Sequence, residues 1–328
     1  MKRREFMTLL GASALWPRAA RAQKREQKRR VAVLLGGLAP GDAGGQAEVA
    51  AFEAGLKELG WNPGGNIELD YRWPGAELDQ VRAAAGEIAT SHPDLVISRS
   101  TPATAALMHT GLPIVFVLVA DPIGSGFVQK FGQPGGNVTG FTNFEASVGG
   151  KWLELLKEAA PKVSRVALLF NPETAPFAEG FLRSAQTAAQ TLGAAAIPAP
   201  LGSAADIEAA LAARAREGGG GIIGIIDTFV VEHRDLIIEL AARYRLPAIY
   251  GVRIFVPGGG LMAYAVDYPD IYRRAAAYVD RILRGARPGE LPVQEPAKFA
   301  LSINLKAAGA IGLSLPQTLI ARADEVIE

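Results

Sequence analysis

From residue 29 onward the chain alternates between two hydrophobic rhythms. Short runs rich in Val, Ile and Leu are followed by longer stretches whose apolar residues recur every three or four positions. The runs predict parallel strands, because a strand covered on both faces has no polar side. The stretches predict amphipathic helices. Val31 to Leu35 is the first strand, and the helix after it places Val49, Phe52, Leu56 and Leu59 on one face before Gly60 stops it. Ile67 to Tyr71 is the second strand, and Leu78, Val81, Ala85 and Ile88 repeat the helical spacing. Leu95 to Ser98 and Ile114 to Val119 are the third and fourth strands. Between them Pro102 suits a first helical turn, with Thr101 as its N-cap. This is a βαβαβ half, with right-handed crossovers expected.

Gln133-Pro134-Gly135-Gly136-Asn137 cannot continue a helix or a central strand. A second half follows. Its helices are marked by Trp152, Leu155, Leu156 and Ala159, by Pro176 to Leu192, and by Leu236, Leu240 and Tyr244. Its strands are Val166 to Phe170, Ile222 to Ile226 and Pro247 to Tyr250. After Pro257-Gly258-Gly259-Gly260 come a strand, Leu261 to Val266, and a helix carrying Ile271, Ala275, Tyr278 and Ile282. A connection with Pro288, Pro292 and Pro296 leads to a strand at Phe299 to Ile303 and a closing helix. These late units read as edge additions, one to each half, so the chain would cross between the halves three times. The predicted fold class is α/β, with two doubly wound parallel-sheet lobes joined by a three-strand hinge. The first lobe is expected to combine 29–141 with 252–287, and the second 142–251 with 288–328. The hinge would then lie near Gly140 to Asn143, Gly251 to Arg253 and Pro288 to Pro292.

The first residues follow a different logic. Lys2, Arg3 and Arg4 open the chain, Met7 to Trp16 is a short apolar run, and Ala20-Arg21-Ala22 fits a small-x-small cleavage site. That order predicts a secretory signal peptide over 1–22, cut after Ala22, with a charged leader over 23–28. Arg3-Arg4-Glu5-Phe6-Met7 also resembles a twin-arginine export signal; an ordinary Sec signal with two arginines is the alternative. No later stretch is apolar for long enough to span a bilayer, so the mature chain is expected to be a soluble periplasmic protein that meets the membrane only through a partner.

Composition narrows the function classes. The 328 residues are 49% hydrophobic and 20% charged, with a net charge of +1. The first 22 residues carry +4 of that, which leaves the rest mildly acidic at −3. No basic excess remains for phosphates, so no nucleic-acid partner is expected. There is no cysteine, which removes disulfides, thiolate metal sites and a thiol nucleophile. His92, His109 and His233 are scattered, with no pair at metal-ligand spacing. No serine lies in a nucleophile elbow and no lysine follows a P-loop glycine pattern. Gly219 to Gly224 fits the dinucleotide spacing but precedes a strand where it should follow one, so it reads as a loop. No cofactor, metal or catalytic residue is assigned.

Several local words resemble one family, the ABC transporter substrate-binding proteins that include tryptophan- and tyrosine-type binders. They are Ser100-Thr101-Pro102-Ala103, Asp121-Pro122-Ile123-Gly124-Ser125-Gly126, Pro134-Gly135-Gly136-Asn137-Val138-Thr139-Gly140, Phe170-Asn171-Pro172 and Ser302-Ile303-Asn304-Leu305-Lys306. The resemblance runs from about residue 30 to the end, and the Pro-Gly-Gly-Asn-Val-Thr-Gly run is its most specific part. It implies a type I periplasmic binding fold and a small-molecule ligand, an amino acid or related carboxylate, bound between the lobes by a monomer. It also implies delivery to the permease of an ABC importer. A receptor feeding a sensor and an exported α/β enzyme are the alternatives. A DNA-binding regulator of the same fold would need a helical segment before the first strand. Only about eight residues separate Ala22 from that strand, too few for one.

Ligands of open parallel sheets bind beyond the carboxyl ends of the strands. That rule selects Ser100 and Thr101, whose hydroxyls and helix N–H groups suit a carboxylate or serve only as a cap. Asp121 could hold an ammonium or cap the next turn. Thr142 and Asn143 lie where hinge and pocket would coincide. Asn171 and Asp227 occupy equivalent strand ends in the second half, as ligand contacts or as turn formers. Trp73 and Tyr250 end strands and could stack on an aromatic ligand or simply edge the core.

Overall fold

The computed structural model describes residues 28–75 and 77–328. The expected signal peptide, and the expected leader apart from Lys28, lie outside the described residues. The first half runs β1 (Arg29–Leu35), α1 (Ala43–Glu58), β2 (Ile67–Arg72), α2 (Leu78–Ser91), β3 (Leu95–Arg99), α3 (Thr101–Leu107), β4 (Ile114–Val119) and β5 (Val138–Thr142). The second runs α4 (Val148–Ala159), β6 (Arg165–Phe170), α5 (Ala178–Leu192), β7 (Ala195–Pro200), α6 (Ala204–Arg216), β8 (Gly220–Gly224), α7 (Thr228–Glu232), α8 (Arg234–Arg243), β9 (Ala248–Tyr250) and β10 (Met262–Val266). Then come α9 (Tyr268–Leu283), β11 (Phe299–Asn304), α10 (Leu305–Ala310), α11 (Gln317–Ile320) and β12 (Glu325–Ile327).

Two sheets form. The five-stranded one has the order β2-β1-β3-β4-β5, all parallel, and the seven-stranded one β12-β11-β10-β9-β8-β6-β7. In each, the order reverses once beside the first strand made, between β1 and β3 and between β6 and β8. The strands of the first sheet other than the edge strand β2 are sandwiched. Val31, Val33, Ile97 and Val117 face α1 and α9, whereas Ala32, Leu34, Val96 and Phe116 face α2 and α3. The second sheet has the same two-sided core, with Val166, Leu168 and Ile223 toward α4 and α5, and Ala167, Leu169 and Ile222 toward α6 and α8. This double burial is why the strands read as unbroken apolar runs.

The late units are arranged differently from the sequence expectation. β10 does not extend the first sheet. It pairs in parallel with β9 and antiparallel with β11, inside the seven-stranded sheet. The segment before it packs there too, with Phe255 and Val256 in the core under α8. Only α9 returns to the first lobe, where Gly55 of α1 lets it come close: a Cβ there would stand 2.9 Å from the Arg273 carbonyl. The stretch after α9 also stays with the first lobe. Thr139 Oγ1 donates to the Leu291 carbonyl at 2.6 Å, and Thr142 N–H to the Gln294 carbonyl at 2.9 Å. The chain therefore passes between lobes after Thr142, at Val266 to Tyr268, and between Gln294 and Phe299. The first crossing overlaps the expected hinge. The second does not, because β9 and β11 hold β10 between them, and the third does not, because Leu291 to Gln294 stay bonded to β5.

Candidate functional site

The three crossings meet at the carboxyl end of the second sheet and enclose a small cleft. Its lining comes from Asn143 on the first crossing, Val266 on the second and Phe299 on the third, with Trp152 and Phe181 as one wall and Ile226 and Gly251 at its floor. The wall is aromatic by construction. Trp152 and Phe181 lie 4.9 Å apart, Tyr264 stacks on Phe299 at 5.4 Å, and Trp152 Nε1 donates to the Tyr264 carbonyl at 2.7 Å. That bond satisfies the indole and fixes its ring. Gly251 is needed here, because a Cβ would stand 2.7 Å from the Trp152 ring.

Two polar side chains, Asn143 and Glu145, join this lining. Asn143 Nδ2 makes a long contact of 3.5 Å to the Tyr268 hydroxyl, and its Oδ1 is buried with no partner among the described residues. A buried amide oxygen left unpaired costs about 1–3 kcal/mol, so the position is poised to accept a donor from outside the fold.

The other predicted site residues have uses inside the protein. Asp227 caps α7 and receives three bonds: from Phe229 N–H at 3.1 Å, from Asn171 N–H at 2.7 Å and from the Thr174 hydroxyl. Burial raises its carboxyl pKa, against those three bonds, which lower it. Asn171 turns the chain after β6, its Oδ1 accepting from Glu173 N–H at 2.7 Å and Thr174 N–H at 3.3 Å. Asp121 caps its own turn, accepting from Gly124 N–H at 2.7 Å. Thr142 donates to the Ala120 carbonyl at 3.1 Å and accepts from Phe144 N–H at 3.0 Å, which pins the first crossing. Ser100, and not Thr101, occupies the cap position of α3; it sits at φ 81°, and its hydroxyl makes no capping bond. Thr101 is the first helical residue. Tyr250 points away from the cleft into the core beneath α8, stacked on Phe255 at 4.1 Å. Trp73 lies over α1, where a Cβ on Gly45 would stand 2.8 Å from its ring. Of the predicted set the structure brings Asn143 into the cleft.

Sequence reasoning missed Arg99 and Glu48. They form an ion pair at 3.0 Å whose side chains retain 15% and 5% of their surface. Burial opposes the Arg99 charge, and the Glu48 carboxylate outweighs it, so the guanidinium pKa is raised overall. A lone arginine ending a strand carries no sequence signal of its own, and Glu48 lies 51 residues away. Trp152, Phe181 and Tyr264 were also missed, since each fits the apolar pattern of an ordinary core residue. Among the described residues no group of His, Cys, Asp and Glu is placed to hold a metal ion, and no helix is long and apolar enough to cross a membrane.

Several of the words that carried the resemblance make turns and caps at the amino ends of the strands, away from the cleft. Asn137 Nδ2 donates to the Leu112 carbonyl, and Gly135 N–H to Gly289, which ties the loop before β5 to its neighbours. Asn304 caps α10 and donates to the Val256 carbonyl at 3.0 Å.

Comparison with known proteins agrees with this architecture. Residues 41–327 match the family model described as ABC transporter substrate binding protein. The chain is 23% identical over 286 residues to a tyrosine-binding protein of Clostridioides difficile (strain R20291), covering 84% of this chain and 80% of that one. Among solved structures it resembles a conserved domain protein from Vibrio cholerae, with 30% identity, TM-score 0.79, and coverage of 91% of this chain and 99% of that one. It also resembles an ABC domain from Streptococcus pneumoniae solved in complex with L-Trp, at 22% identity and TM-score 0.80, covering 92% and 100%. Two doubly wound lobes joined by three crossings make the type I periplasmic binding fold, and the family is one of binding proteins, not enzymes. The chain belongs to the ABC transporter substrate-binding protein family.

Proposed function

We propose that this chain is an exported receptor that closes its lobes around an amino acid, or a closely related zwitterion, and delivers it to the permease of an ABC importer. The observation that carries the reading is the unpartnered Asn143 Oδ1 in a cleft walled by Trp152 and Phe181. An ammonium satisfies such an oxygen, and an aromatic wall takes an apolar or aromatic side chain. The tyrosine-binding relative and the tryptophan-bound neighbour support the same ligand class. The first lobe, 28–142 with 267–294, would close on the second about the three crossings, in a monomer.

A thermal-shift screen of amino acids, sugars, nucleosides and polyamines, followed by calorimetry, tests the ligand class. An amino acid is the expected hit; a neutral sugar as the best ligand refutes the reading. Uptake of that ligand into vesicles holding the cognate permease, only when this protein is added, tests delivery. For export, intact mass of the secreted form should place its first residue at Gln23. Replacing Arg3 and Arg4 by lysine should block secretion if the twin-arginine route serves it.

A further inference from the structure

Arg99 ends β3 at the point where the order of the first sheet reverses, beside the end of β1. Crevices outside such points are where open α/β sheets hold ligands. Two of its three nitrogens are fixed. Nε donates to Glu48 Oε2 at 3.0 Å and Nη1 to the Gly36 carbonyl at 3.0 Å. Gly37 lies flat against the same group, since a Cβ there would stand 3.4 Å from Nη1. The third nitrogen, Nη2, takes no hydrogen bond among the described residues, and the side chain keeps 15% of its surface open.

An arginine serving only to join α1 to β3 would be a poor choice, because burying such a pair costs more solvation than a packed apolar contact does. Pinned along one edge and open along the other, a guanidinium is rigid, permanently charged and shaped for a carboxylate. Strand parity adds the second half of the argument. Leu95 and Ile97 of β3 and Phe141 of β5 face the same core; Arg99 ends β3 on that face, and Asn143 follows the end of β5, with β4 between the two strands. Tyr268 adjoins Asn143, its hydroxyl 3.5 Å from Nδ2.

We propose that Arg99 is the carboxylate-recognising residue of the cleft, with Nη2 pairing to the ligand's carboxylate while Asn143 Oδ1 accepts from its ammonium. The proposal rests on the amino-acid reading given above. Calorimetry tests it with three probes: the proteinogenic amino acid that binds best, its carboxamide, and the amine lacking the carboxyl group. The parent is expected to prefer the acid to the carboxamide by about ten- to a hundredfold. Arg99→Gln should lose about that factor for the acid and bind acid and carboxamide alike. Keeping the parent's preference overturns the proposal while leaving the ligand class intact. If no amino acid binds the parent, the ligand reading falls and this proposal with it. If Arg99→Gln does not fold, because Glu48 is left alone, a crystal structure of the parent with its amino acid decides. A carboxylate on Nη2 upholds the assignment, and a carboxylate held elsewhere overturns it.

Discussion

Asp227 shows how a polar residue at a strand end can be consumed by the fold. Its two oxygens take the Asn171 N–H, the Phe229 N–H and the Thr174 hydroxyl, and so tie β6 to β8 and start α7. Asp227→Ala strands those donors, and should cost about 2–4 kcal/mol of stability, one lost cap plus buried donors left unpaired. Denaturant midpoints check this, and the affinity of the folded variant should stay near the parent's. The carboxyl also has a pH signature. Burial raises its pKa, so the native state holds the proton to higher pH than the unfolded chain does. Its contribution is then most favourable below the ordinary aspartate range and declines as pH rises through the interval up to the raised value. The stability of the parent relative to Asp227→Asn should fall across that interval in urea melts; a rise would contradict the assignment. These residues also mark the limit of sequence reading at this scale. A ligand contact and a turn cap call for the same Asn, Asp and Thr at the same place, so the sequence could not separate the two uses at Asn171, Asp121 and Thr142, where the structure shows the turn and cap bonds. Arg99 lacked even that ambiguity, because its partner Glu48 comes from a different element.

At the level of elements, helix α4 presses on α5 through Gly149. A Cβ there would lie 2.2 Å from the Phe181 carbonyl. Gly149→Ala should push the helices apart and move the Phe181–Trp152 wall, costing about 1–3 kcal/mol as overpacking does. Both a lower thermal midpoint and weaker ligand binding are expected, and a fully parent-like variant would show that α4 can shift freely. The elements most legible in the sequence were the sandwiched ones: β1, β3, β4, β6 and β8 carry continuous apolar runs where both faces are covered. The sequence reading passed over β5, β7 and β12. β5 mixes Thr and Gly into its run, β7 carries Pro198 and Pro200 at a sheet edge, and β12 has three residues. The sheet to which β10 belongs was illegible for another reason. Its placement depends on β11, an antiparallel partner more than thirty residues later, and periodicity says nothing about partners.

For the whole molecule, three thin crossings join two separately packed cores. Hinge closure is the natural motion of such a body, carried by a few residues at element ends. Small-angle scattering should show a smaller radius of gyration with ligand than without it, and superimposable curves at saturation would count against a clamp. The crossings also mean that the lobes are not consecutive in the chain, since α9 leaves the second lobe to complete the first. Its buried residues, among them Ile271, Tyr272, Ala275 and Val279, cover the face presented by Phe52 and Leu56. A fragment over 28–266 should therefore bind hydrophobic dye and lack cooperative unfolding of its first sheet, although every strand of that sheet is present.

That arrangement has a consequence in time. Arg273 reaches back across 215 residues to Glu58. At roughly 5–20 residues per second, synthesis of that interval takes about ten to forty-five seconds. Throughout it the apolar face of α1 has been made and its cover has not. Whatever machinery engages the emerging N-terminus meets a first lobe that is still open, and a closed first lobe has to wait until residue 283 has left the ribosome.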